Sequence, residues 1–154
     1  MAGSLPAPAT VTESQPDQEP VAGSSPDTGR MTTRQNETKF SLLVVDEADE
    51  AVISVVGELD SFTATELRAG ITAVLGRPAT IIDIRDVPFV DSAGLGALMG
   101  GIRRLREAGG DVALCCTHPG VLRLLLMTGL DRIVAITKSP EEARQVIADA
   151  SVPV

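Results

Sequence analysis

Apolar and polar positions change rhythm at Phe40. From there on, short apolar runs alternate with amphipathic segments, the order expected of an α/β domain. Phe40 to Val45 and Ala51 to Val56 read as strands joined through the polar turn Asp46 to Glu50, a hairpin. Thr63 and Glu66 then stand at capping-box spacing, and Ala64, Leu67, Ile71, Val74 and Leu75 share one helical face that ends at Gly76 with Pro78 beyond. Thr80 to Ile84 is apolar on both faces and reads as a central strand. Leu95, Leu98, Met99, Ile102 and Leu105 recur at helical spacing from a start at Ser92, closed by Gly109 and Gly110. Val112 to Cys116 is a further central strand, and Pro119 opens a helix carrying Val121, Leu122, Leu125 and Leu126 that stops at Gly129. Arg132 to Ile136 gives the last strand. Ser139, Pro140 and Glu142 form a second capping box ahead of Ala143, Val146 and Ile147. The predicted order is ββαβαβαβα: one mixed sheet with helices packed on it.

Residues 1 to 38 lack this rhythm. They hold five of the ten prolines and only Leu5, Val11 and Val21 as bulky aliphatics, too little apolar surface to offset the entropy of ordering. A disordered N-terminal tail is expected there, followed by one domain over 39–154, with Met31 as an alternative start. The 154 residues carry a net charge of -8, of which -3 falls on the tail, and 2% aromatics with no Trp or Tyr. A phosphate backbone is repelled on average and few rings are offered for base stacking, so no nucleic acid partner is expected. No apolar run approaches the roughly 20 residues that cross a bilayer, and Met1 is followed by neither a charged nor an apolar leader segment. Cys115 and Cys116 are sequence neighbours that can hardly staple a fold. A cytoplasmic protein without membrane contact is the expectation.

The chemistry concentrates in Asp83-Ile84-Arg85-Asp86-Val87-Pro88-Phe89-Val90-Asp91-Ser92-Ala93-Gly94-Leu95-Gly96-Ala97-Leu98, where a buried strand runs through a loop into a serine at the start of a helix. Asp91-Ser92-Ala93-Gly94-Leu95 resembles the Asp-Ser-x-Gly-Leu motif of STAS domains, the bacterial anti-sigma factor antagonists. Val56-Gly57-Glu58-Leu59-Asp60 with Thr63 resembles their upstream signature, and the element order matches over roughly residues 40 to 150. The resemblance implies a single STAS-like domain that binds an ATP-dependent anti-sigma factor serine kinase while its serine is free. A sigma factor is thereby released, phosphorylation on Ser92 breaks the grip, and a phosphatase restores it. It implies no enzyme activity, cofactor or metal for the chain itself.

Each residue also has a plainer role open to it. Ser92 suits a helix cap. Asp91 precedes the serine, the resemblance implies that Asp60 reaches it from the end of the second strand, and each either positions the hydroxyl or serves as a cap or turn former. Asp83, inside an apolar strand, fits a hydrogen-bonded structural carboxylate. Gly94, Gly96, Gly100 and Gly101 each cost about 0.8 to 1 kcal/mol against Ala inside a helix, so a benefit must oppose them. Ala93, Gly96, Ala97 and Gly100 are expected on one face, which either packs on the sheet or receives a flat partner, with Gly94 grouped in that partner-binding set. Arg103, Arg104 and Arg106 read as a solvated face open to an acidic partner.

Other chemistries fit poorly. A dinucleotide fingerprint needs glycine where Met99 stands, and no P-loop lysine follows. A serine hydrolase built on Ser92 with His118 and an Asp is a remote alternative, since Val90 replaces the first glycine of its elbow. His118 just before Pro119 fits a cap or turn. Cys115 and Cys116 with one histidine are too few ligands for zinc and fit small buried positions. A scaffold subunit with the same fold, in a stress-signalling or lipid-transport assembly, is the second functional alternative.

Overall fold

The computed structural model describes residues 39–151. The expected tail over 1–38 lies outside the described residues. Strands β1 (Ser41–Asp46) and β2 (Glu50–Val56) form the expected hairpin, antiparallel with Ser41 opposite Val56 and Asp46 opposite Ala51. Helix α1 (Ala64–Ala73), β3 (Ala79–Asp86), α2 (Ser92–Glu107), β4 (Asp111–Cys115), α3 (Pro119–Met127), β5 (Ala135–Thr137) and α4 (Pro140–Ser151) follow. The sheet order is β1-β2-β3-β4-β5, with every pair after the hairpin parallel. The predicted order ββαβαβαβα and the mixed sheet are both found.

The two faces of the sheet are covered unequally. Ile53, Val55, Ile82, Ile84 and Leu114 join Leu67 and Ile71 of α1, Leu98 and Ile102 of α2, and Val121 and Leu125 of α3 in one continuous core. On the opposite face Ile81, Ala113 and Cys115 pack with Val52 of β2 and with α4, through Ala143 and Ile147. Ile81, Ile82 and Ile84 are each fully buried, as their mixed-face run requires of a central strand. Toward β1 no helix of the described residues covers that second face: Leu43 and Val45 remain 63% and 45% exposed.

Two elements depart from the sequence pattern. The last strand does not begin at Arg132: Gly129 takes a left-handed conformation and Leu130–Arg132 winds into a 3-10 turn in which the Leu130 carbonyl accepts from both the Ile133 and Val134 N–H groups. Pairing with β4 is thereby limited to Ala135–Thr137. The box at Thr63 is also absent, because Thr63 itself is helical and its hydroxyl turns away from the helix. At α4, by contrast, Ser139 Oγ accepts from the Glu142 N–H at 3.1 Å, and the Glu142 carboxylate reaches back to the Lys138 N–H at 2.9 Å.

Candidate functional site

Two loops leave the same end of the sheet, one after β2 and one after β3, and the backbone ties them together. The Leu59 N–H donates to Phe89 O at 2.9 Å and the Asp91 N–H donates to Leu59 O at 3.1 Å, a short parallel bridge between Leu59 and Val90. Leu59 and Val90 anchor the loops by burying their side chains. The polar residues between these apolar anchors are thereby held at the surface.

Asp60 and Thr63 organise the first loop. Asp60 Oδ1 accepts from the N–H groups of Phe62 at 2.9 Å and Thr63 at 3.0 Å, while Ala64 N–H donates to Asp60 O at 2.8 Å. Asp60 is therefore the working cap of α1, a turn earlier than the sequence spacing places it. The Thr63 hydroxyl donates to Glu58 O at 2.9 Å and accepts from the Asp60 N–H at 2.8 Å. The hydrogen bond from the Thr63 N–H, supported by that from Phe62, holds the Asp60 carboxyl below its usual range against an opposing desolvation.

Asp91 organises the second loop. It is the N-cap of α2, extended in backbone, with Oδ1 accepting from the Gly94 N–H at 2.8 Å. Ser92 is then the first helical residue and is exposed. It does not cap the helix; Asp91 does. The Ser92 hydroxyl is left outside the capping geometry, beside the first-turn N–H groups, which have no intrahelical acceptor.

The glycines of α2 divide by face. A side chain on Gly94 would run into the backbone of Leu59, with its carbonyl carbon 2.8 Å from the added atom, and one on Gly101 would run into the tip of Ile71. Gly96 and Gly100 look into open space. Ala97 is 2% exposed and belongs to the core. The expected small-residue face is thus corrected: Gly94 and Ala97 are buried and let α2 sit close, whereas Ala93, Gly96 and Gly100 follow Ser92 along the outer side.

The remaining candidates fall to structural roles. Asp83 makes a bidentate pair with Arg85, at 2.9 and 2.8 Å. His118 caps α3, its Nδ1 accepting from the Gly120 and Val121 N–H groups at 3.2 and 3.3 Å. That nitrogen carries no proton to offer the carboxylate of a hydrolase triad. Cys115 and Cys116 are buried, and burial pushes both thiols up. Among the described residues no group of three or more His, Cys, Asp or Glu is placed to hold a metal, and no helix is long and apolar enough to cross a membrane.

The sequence reading missed two residues here. Phe62 is 85% exposed and Phe89 is 49% exposed, each beside one of the capping aspartates. The chain has three Phe and no Trp or Tyr, so two of its three aromatic rings stand on the surface of these joined loops. The available signals were the polar setting of Phe62, between Ser61 and Thr63, and the proline just before Phe89.

The model of the STAS domain family matches residues 42–143, nearly the whole described fold. The chain belongs to the STAS domain family. Relatives within it include the anti-sigma F factor antagonist of Paenibacillus polymyxa, 32% identical over 88 residues, which span 55% of this chain and 75% of that protein. The anti-sigma-B factor antagonist of Bacillus subtilis is 30% identical over 90 residues, 58% of this chain and 83% of its own. Among solved structures, an anti-sigma factor antagonist from Mycobacterium paratuberculosis superposes with a TM-score of 0.66 at 31% identity, covering 72% of this chain and 96% of that one. The Bacillus cell fate determinant SpoIIAA in its phosphorylated form gives 0.54 at 26% identity, covering 71% and 99%. These relatives within the STAS family are anti-sigma factor antagonists.

Proposed function

We propose that this STAS domain is an anti-sigma factor antagonist: it docks on an anti-sigma factor of serine-kinase fold, a sigma factor is set free for transcription, and phosphorylation of Ser92 ends the docking. The reading rests above all on the placement of Ser92, exposed at the first position of α2 and clear of the cap that Asp91 supplies. Ala93, Gly96 and Gly100 extend a low outer surface from it, and Asp60 and Asp91 border it. Phe62 and Phe89 stand on the bridged loops as rings able to enter apolar pockets of a partner.

In the transfer, the Ser92 hydroxyl oxygen bonds to the terminal phosphorus of ATP held by the partner, ADP departs, and the hydroxyl proton passes to a base on the partner. A phosphatase returns the hydroxyl by adding water and releasing phosphate. The product carries about -1.5 to -2 charge at a place that had met its partner as a neutral group. The fold tolerates this, since the helix N-terminus offers N–H groups and a favourable dipole. The interface does not, because an unpaired charge must be desolvated there.

Calorimetric titration of the unmodified and phosphorylated forms against the purified anti-sigma factor tests the proposal. Tight binding of the first and weak binding of the second is expected. The scaffold alternative differs in one measurable respect, equal affinity of the two forms.

A further inference from the structure

The edge of the sheet at β1 is finished as a pairing surface. The Glu47 N–H donates to Glu50 O at 2.9 Å, continuing the ladder that sets Asp46 opposite Ala51. In an antiparallel pair, residues alternate between addressing one neighbour and the other. The odd-numbered residues of β1 therefore bond to β2, and the N–H and C=O groups of Phe40, Leu42, Val44 and Asp46 point outward along the edge. No proline and no charge interrupts Ser41 to Val45, the devices that usually blunt such an edge. Leu43 and Val45 lie on the face that α4 leaves bare, at 63% and 45% exposure.

We propose that a second copy of this chain pairs on β1 about a twofold axis at Leu43, joining the two five-stranded sheets into one. Antiparallel partners directly opposite each other share a face, so the registers open to a twofold pair differ by steps of two residues. With Leu43 opposite Leu43 of the second copy, Leu42 meets Val44, Ser41 meets Val45, and Lys39 meets Glu47 at both ends. The outward-pointing residues then fall in the hydrogen-bonded positions and Leu43 in the closer, non-bonded one. Phe40 meets Asp46, whose carboxylate is already held by Arg77 at 2.9 Å. A slip one way sets Leu42 against Asp46, and a slip the other way sets Lys39 against Val45. Of these registers only the one centred on Leu43 sets Lys39 against Glu47, and that charge pair selects it. This pairing is independent of the role of Ser92.

Sedimentation velocity of the full chain between about 1 and about 200 µM is expected to show a concentration-dependent dimer. Leu43→Lys sets like charges face to face on the axis and is expected to raise the dissociation constant about tenfold or more, with circular dichroism unchanged. Lys39→Glu weakens the dimer, and Lys39→Glu combined with Glu47→Lys restores it. Mild oxidation cross-links Leu43→Cys, whose Cα atoms lie about 4.5 Å apart across the axis, but not Ser41→Cys. A monomer at every concentration overturns the proposal. So does a dimer indifferent to Leu43→Lys and to the charge exchange, including one held through residues 1–38.

Discussion

The backbone of Leu59 occupies the space that a side chain on Gly94 would need. One motif thereby holds the other: the glycine two positions after Ser92 exists for the loop that follows β2. Gly94→Ala forces that loop away and is expected to destabilise the fold by about 1 to 3 kcal/mol in urea unfolding. Gly96→Ala, facing open space, is expected to stabilise by about 0.5 to 1 kcal/mol through helix propensity. If the outer side of α2 receives the partner, the same Gly96→Ala weakens docking while strengthening the fold.

At Ser92 the expected series separates charge from shape. Ser92→Ala folds, binds the anti-sigma factor and resists phosphorylation by it in the presence of ATP. Ser92→Asp keeps its fold, since a carboxylate at a helix N-terminus is favourable by about 0.3 to 1 kcal/mol, yet binds more weakly. The phosphorylated protein loses about 2 to 5 kcal/mol of binding. Phosphate found on another residue, with Ser92 untouched, would falsify the site.

Phe62 and Phe89 are expected to behave as anchors. Phe62→Ala removes a ring that is 85% exposed, so unfolding stability stays within about 0.5 kcal/mol of the parent. Affinity for the partner falls by about 2 kcal/mol or more for each of Phe62→Ala and Phe89→Ala if both rings enter pockets. Unchanged calorimetric affinity in both variants places the docking surface elsewhere.

Asp60 gives the fold an acid dependence of definite sign. Its carboxyl titrates lower in the folded chain than in the unfolded one, so the unfolded chain binds the proton first on acidification. The stability it contributes is complete above the ordinary carboxylate value of 3.8 and is lost as pH falls through the lower folded value. Against Asp60→Asn, the parent is expected to be more stable at pH 6, with the difference closing in strong acid. A difference that grows on acidification contradicts the assignment.

Thr80 lies 1% exposed in β3, and its hydroxyl has no hydrogen-bond partner among the described residues. Thr80→Val keeps the shape and removes the desolvated group, and is expected to stabilise the fold by about 1 kcal/mol. Thermal unfolding monitored by circular dichroism reads this directly.

Periodicity made most of this fold legible. The isoleucines of β3, the 3.6-residue stripe of α2 and the glycine after α3 each report a local preference that the packing reinforces. The last strand was misplaced because Ile133 and Val134 are apolar on either account: in the segment that leaves the 3-10 turn, Val134 is buried and Ile133 packs partly buried against the core, as they would in a strand. The Thr63 box failed for a related reason, since spacing cannot tell which of two nearby oxygens, on Asp60 or Thr63, caps the helix. In the second loop, the sequence placed Ser92 at the start of a helix, where it stands, but did not show the split between Gly94 and Gly96. Which glycine faces Leu59 depends on a contact 35 residues away in sequence, between residues 59 and 94, that no local pattern records.

The bridge between Leu59 and Val90 bears on timing. Loops fastened to each other before any encounter have little conformational freedom left to surrender on contact, so the ordering cost of association is small. In the function proposed above, docking through these loops is then close to rigid-body, with the frequency of well-oriented collisions as its limit and the slow step left to the phosphorylation of Ser92.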